Sequence, residues 1–125
     1  MISLVLVGAG GFLGSVLRYL AGVLTQSLTG STALPYGTLA VNVLGCLIIG
    51  FLGGLAQHRQ LFSPELRLFV FTGMLGGFTT FSTFGYDTLN IARGVDLPLA
   101  LLNILLHISL GLGAVSLGYW LSRWC

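Results

Sequence analysis

Long apolar runs separated by short polar stretches dominate this chain. Four runs, at about residues 2–24, 36–56, 64–91 and 97–121, read as helices. At about 1.5 Å rise per residue, each is long enough to cross roughly 30 Å of hydrocarbon. The polar stretches supply the punctuation. Residues 25–35 form a linker rich in Ser and Thr, and Gln57-His58-Arg59-Gln60 reads as a turn. Ser63-Pro64-Glu65 reads as a helix start, with Ser as N-cap, Pro at the first helical position and an acid in the first turn. Arg93-Gly94-Val95-Asp96 is a further turn, and Tyr119, Trp120 and Trp124 suit a membrane–water interface. The first run has no positive leading region, and Arg18 sits near its far end, so it reads as a retained helix rather than a signal peptide.

Composition turns this pattern into a class. Of 125 residues, 55% are hydrophobic and 6% charged, against about 25% charged in a soluble domain. The expectation is an all-α integral membrane protein, one domain over residues 1–125, with neither a soluble module nor a strong internal repeat. A net charge of +2, without lysine or a basic run, argues against nucleic acid. Cys46 and Cys125 form no disulfide or zinc pattern. No nucleophile, base and orienting group can be assembled, so the chain does not read as an enzyme. Residues 8–14 vaguely resemble a dinucleotide fingerprint but lack any βαβ context.

Charge and glycine placement bear on assembly. Four spans put both termini and the loop between the second and third helices on one side, with Arg59, Arg67 and Arg123. The opposite side carries Arg93, with Arg18 near it. So weak a bias permits insertion in both orientations, and two opposed copies could pair about an axis in the membrane plane. The competing reading is a single orientation set by other features. The pairs Gly10 and Gly14, Gly50 and Gly54, and Gly73 and Gly77 have the spacing that lets helix backbones approach closely.

The candidate chemistry centres on Gly76-Gly77-Phe78-Thr79-Thr80-Phe81-Ser82-Thr83-Phe84. Adjacent glycines weaken a helix by about 1 kcal/mol each. Polar, helix-weakening sequence at membrane depth is tolerated where it is buried in protein or lines a cavity. The stretch therefore predicts an interrupted third helix, bracketed by Gly76 and Thr79. Phe81 and Phe84 share a face. Their positive ring edges would favour an anion, and Ser82 and Thr83 offer uncharged donors. Core packing is the alternative for the rings. Unwound carbonyls at the interruption could hold a cation such as Na⁺, or could be satisfied by threonine hydroxyls.

Thr38, Asn42, Gly45 and Ile49 share a face of the second helix. The Asn42 amide needs partners in hydrocarbon, either as a donor to an anion or as a link between helices. Arg18 either snorkels or attracts anions at a vestibule. His107, with Asn103 one turn earlier, reads as a hydrogen-bonding strut, and Asp87 as an interfacial acid.

Three segments carry a resemblance over effectively the whole chain. Residues 10–19 (GGFLGSVLRY), residues 37–42 (GTLAVN) and residues 76–84 (GGFTTFSTF) resemble the signature segments of the CrcB/Fluc fluoride channels, in the same order. The resemblance implies an antiparallel, dual-topology homodimer of four-helix subunits in a prokaryotic inner membrane, exporting F⁻ passively to relieve fluoride toxicity. It implies that Asn42, Phe81 and Phe84 line the fluoride path, with Ser82 and Thr83 at polar-track positions and Thr38 on the Asn42 face. It places Arg18 near a vestibule, and the carbonyls of Gly76 and Thr79 around a structural Na⁺ at the dimer centre. Two other readings compete. Small proton-coupled multidrug exporters have the same size and topology but need a carboxylate in the first helix, where this chain has none: its acids are Glu65, Asp87 and Asp96. A subunit without transport activity would leave the hydroxyl–phenyl cluster without purpose.

Overall fold

The computed structural model describes residues 1–30, 33–59, 61–94 and 96–125. Parts of the expected linker and turns, at Ser31, Thr32, Gln60 and Val95, lie outside them. The described residues are helical, without strands: α1 (Ile2–Thr29), α2 (Tyr36–Arg59), α3 (Pro64–Arg67), a π-helix (Leu68–Leu75), α4 (Gly76–Phe78), α5 (Phe81–Arg93) and α6 (Leu97–Leu121). Elements α3 to α5 make up the third run, Pro64–Arg93. The described residues thus contain four helical stretches long and apolar enough to span a membrane, the architecture of a multi-pass membrane protein.

Two helix starts follow the local chemistry. The Ser63 hydroxyl accepts the Leu66 N–H at 3.2 Å, ahead of Pro64. The Asp96 carboxylate accepts the Leu99 N–H at 3.1 Å, and Pro98 sits in the first turn of α6. The far end of α1 differs from expectation. Residues 25–29, expected in the linker, are helical, and the hydroxyls of Thr25, Ser27 and Thr29 find partners on their own helix. Thr25 donates to the Ala21 carbonyl at 2.8 Å, Ser27 to Leu24 at 2.8 Å and Thr29 to Thr25 at 3.1 Å. The helix stops at Gly30, whose φ of 61° closes it with an N–H bond to Gln26 O. Likewise, α2 continues through Gln57, His58 and Arg59. The Tyr119 hydroxyl donates to Gln57 Oε1 at 3.1 Å, and the basic end complements the helix dipole.

Glycine lets these helices touch along two seams. In the first, α2 and α6 run parallel. A side chain at Gly50 would collide with the Val115 carbonyl, one at Gly54 with the Ser122 hydroxyl, and one at Gly118 with the Leu47 carbonyl. In the second, α1 lies against the third run, where Gly10 and Gly14 meet the Phe69 and Met74 carbonyls and Gly73 meets Gly10. Gly77 completes this seam against Gly11. All three spaced glycine pairs therefore serve close helix packing. Few large side chains are buried, and leucines on every long helix face outward, as a lipid solvent permits.

Candidate functional site

The third run changes geometry after Phe78. Thr79 (φ −82°, ψ 156°) and Thr80 (φ −150°, ψ 109°) are extended, and helix resumes at Phe81. The glycines read as the start of the interruption, Gly76 and Gly77, stay helical; the threonines after them carry the extended geometry. The reason lies in hydrogen bonding. The backbone N–H and the hydroxyl of Thr79 both reach the Leu75 carbonyl at 3.0 Å, closing the helix behind it. The Thr80 hydroxyl then caps α5, accepting the Thr83 N–H at 3.3 Å.

Asn42 of α2 holds the extended pair in place. Its Nδ2 donates to the Thr80 carbonyl at 3.1 Å, and its Oδ1 accepts the Thr80 N–H at 2.8 Å. The amide therefore acts as a link between helices, with one N–H hydrogen left for a further acceptor. These bonds change the accounts of two neighbouring carbonyls. In an α-helix, Gly76 O would accept from Thr80 N–H and Thr79 O from Thr83 N–H. The first donor goes to Asn42 and the second to the Thr80 hydroxyl. Both carbonyls are thus released from helical partners, which fits oxygen coordination of a hard cation. Among the described residues no group of three or more His, Cys, Asp and Glu could hold a metal.

The expected site residues fall around two cavities that meet at Thr80. The larger, about 400 Å³, is lined by Asn42, Thr79, Thr80, Phe81, Phe84 and His107, among others. The Phe81 and Phe84 rings lie 5.5 Å apart at 57°, and Phe81 is 84% exposed. One side of this cavity is therefore open in a single chain. The smaller, about 90 Å³, brings together Arg18, Thr38, Thr80 and Thr83. Here the Thr80 hydroxyl contacts those of Ser82 at 3.3 Å and Thr83 at 2.9 Å. The cluster sits at the N-terminus of α5, where unpaired N–H groups and the helix dipole favour negative charge. Ser82 joins through that hydroxyl contact and lines neither cavity.

Two participants have roles the sequence reading did not assign. Asp87 lines a further cavity of about 570 Å³, which shares Gly22, Gly37 and Thr38 with the small one. Its Oδ2 accepts the Thr38 hydroxyl at 2.8 Å, so Thr38 spends its donor on a carboxylate. Their location near two helix ends in facing helices was the available signal. His107 keeps the strut contact, Nδ1 to Asn103 O at 3.0 Å, but its ring also lies 4.4 Å from Phe84. Asn103 donates to Thr88, and Thr88 to the Phe84 carbonyl, so α6 fixes both the backbone and the ring of Phe84. The buried Nε2 of His107 has no partner among the described residues.

The sequence has relatives. Residues 5–119 match the family model described as CrcB-like protein, Camphor Resistance (CrcB). A protein of Elusimicrobium minutum named fluoride-specific ion channel FluC is 50% identical over 116 residues, covering 91% of this chain and 88% of that protein. One of the same name from Agrobacterium fabrum is 45% identical over 123 residues, covering 98% of both. Another, from Clostridium perfringens, is 42% identical over 118 residues, covering 94% of this chain and 91% of the relative. With the family model matching residues 5–119 and identities of 42–50% over most of each chain, the chain belongs to the CrcB-like family.

Proposed function

We propose that this protein is a fluoride channel that lets F⁻ leave the cell passively across a prokaryotic inner membrane, relieving fluoride toxicity. The observation that carries the reading is the cavity bounded by the Phe81 and Phe84 rings and the Asn42 amide, with no carboxylate among its lining residues. Ring edges and a neutral N–H can replace part of a small anion's water shell without trapping it as a buried cation would. On the other side of Thr80, the Ser82 and Thr83 hydroxyls and the Arg18 guanidinium lie toward the vestibule. Thr38 orients there through Asp87.

The open side of the cavity supports a second copy as its missing wall. In this reading two subunits insert in opposite orientations and meet across their third runs, with the extended Thr79–Thr80 pair at membrane mid-depth. The carbonyls of Gly76 and Thr79, freed from helical donors, would hold a Na⁺ at the centre of that homodimer. Its charge would offset carbonyl repulsion at the crossing. The proton-coupled exporter reading finds no support, since α1 carries no acid.

The deciding experiment is fluoride-electrode efflux from liposomes containing only this protein, with chloride as control. Rapid F⁻ release without Cl⁻ release is expected; liposomes that hold their fluoride would overturn the reading. A single-chain mass in detergent under non-denaturing conditions would refute the paired arrangement.

A further inference from the structure

At the end of the α2–α6 seam remote from Asp96, a groove of about 590 Å³ runs between the two helices. Its deep part is apolar apart from the Ser116 hydroxyl, formed otherwise by Ile49, Gly50, Gly53 and Val115. Its outer part is polar, formed by Gln57, Tyr119 and Arg123. From Ile49 to Gln57 the helix rises about 12 Å, most of the roughly 15 Å hydrocarbon depth of one leaflet.

The groove owes its depth to one glycine that the helix seam does not need. Gly50 and Gly54 are pressed against Val115 and Ser122, whereas a Cβ on Gly53 would meet only the edge of Phe71, at 4.0 Å. The polar end is built around Tyr119. Its hydroxyl is tied to Gln57, the Arg123 guanidinium lies 5.5 Å from its ring centre, and the His58 ring lies 5.4 Å away. Arg59 and Arg67 end or begin neighbouring helices on this side, against the single acid Glu65. The exposed indoles of Trp120 and Trp124, 5.8 Å apart, suit headgroup depth.

We propose that this groove is a binding site for one anionic glycerophospholipid. An acyl chain lies over Gly53 between Ile49 and Val115, and the phosphate meets Arg123. Charge complementarity selects the headgroup: a surplus of arginine at the mouth of an apolar slot attracts a lipid with net negative charge over a zwitterionic one. The stacked Tyr119 ring pre-orients the guanidinium, which lowers the ordering cost of binding. The groove adjoins the cavity of the proposed fluoride path along the same seam, with Ile49 lining both, but its lipid preference is read without any fluoride flux and does not depend on that reading.

Native mass spectrometry of the purified protein, titrated with phosphatidylglycerol or with phosphatidylcholine of the same chains, tests this. Wild type is expected to retain one phosphatidylglycerol per chain about fivefold more tightly, the weight of one arginine at an anionic surface. Arg123→Gln should abolish the headgroup preference while leaving the helical circular dichroism intact. Gly53→Leu should weaken both lipids by filling the slot. Equal retention of the two lipids by wild type, or an undiminished preference in Arg123→Gln, would overturn the proposal. So would a change of oligomeric mass in Gly53→Leu, because the groove would then be a contact between copies. If Gly53→Leu does not fold, the Arg123→Gln comparison decides alone.

Discussion

Asn42 and Thr80 are joined by a reciprocal pair of hydrogen bonds, side-chain amide to main-chain peptide, at 3.1 and 2.8 Å. The pair does for one residue what a neighbouring strand would do in a sheet. It satisfies a peptide group that has left the helix. Asn42→Ala orphans both groups, at a cost of about 1–3 kcal/mol for each one left buried. We expect a lower unfolding temperature in detergent and the loss of most fluoride efflux. Asn42→Asp retains an acceptor for the Thr80 N–H but sets a carboxylate oxygen against the Thr80 carbonyl, so it should not rescue either property.

The two phenyl rings should be separable from folding. Phe84→Ile and Phe81→Ile keep apolar volume but remove the positive ring edge. Each is expected to reduce fluoride efflux about tenfold or more, equivalent to ~1.4 kcal/mol at the narrowest point. Size-exclusion elution should be unchanged. Phe84→Ile should also cost some stability, since its ring rests on His107; the exposed Phe81 has no such support. Efflux at the wild-type rate in both variants would remove the rings from the mechanism.

Thr38 and Asp87 make a charge-assisted hydrogen bond of 2.8 Å between α2 and α5. Thr38→Val preserves shape and removes the donor. A loss of about 1.5–3 kcal/mol in unfolding free energy is expected, while Thr38→Ser should match wild type. Equal stability in Thr38→Val would show that solvent replaces the hydroxyl.

Glycines of the seam and of the surface should respond in opposite directions. Gly118→Ala drives a methyl into the Leu47 carbonyl and is expected to destabilise by about 1–3 kcal/mol. Gly113→Ala, on the same helix, meets nothing within 4 Å. It should be neutral or gain up to ~1 kcal/mol from helix propensity. Thermal unfolding of the two single variants makes the comparison.

How much of this was legible depends on distance along the chain. The limits of α6 could be read because Asp96 and Pro98 sit beside an uninterrupted apolar run. The end of α1 was misplaced because Thr25, Ser27 and Thr29 look like linker residues, yet their hydroxyls bond to carbonyls of their own helix. Gly76-Gly77 marked the right region, while the extended geometry fell on the threonines, which alone have side chains to close one helix and cap the next. The partners of Asn42, Asp87 and His107 lie on other helices. No local pattern names them, so an amide, an acid and an imidazole could be flagged as needing company but not matched.

The π-helix over Leu68–Leu75 works as a register spacer. Its wider turns take up residue length without adding the usual rotation. Removing a single residue there would let ordinary winding resume with the residues downstream keeping roughly their present facing, whereas the same deletion at Gly77 or Phe78, in ordinary α-helix, would swing everything after it by about 100° around the axis. Only in the second case would the phenyl rings leave their cavity and the threonine pair lose Asn42. The wide segment thus absorbs a change of length that ordinary helix passes on, so a variant shortened by one residue between Leu68 and Leu75 should keep more fluoride efflux than one shortened at Gly77 or Phe78.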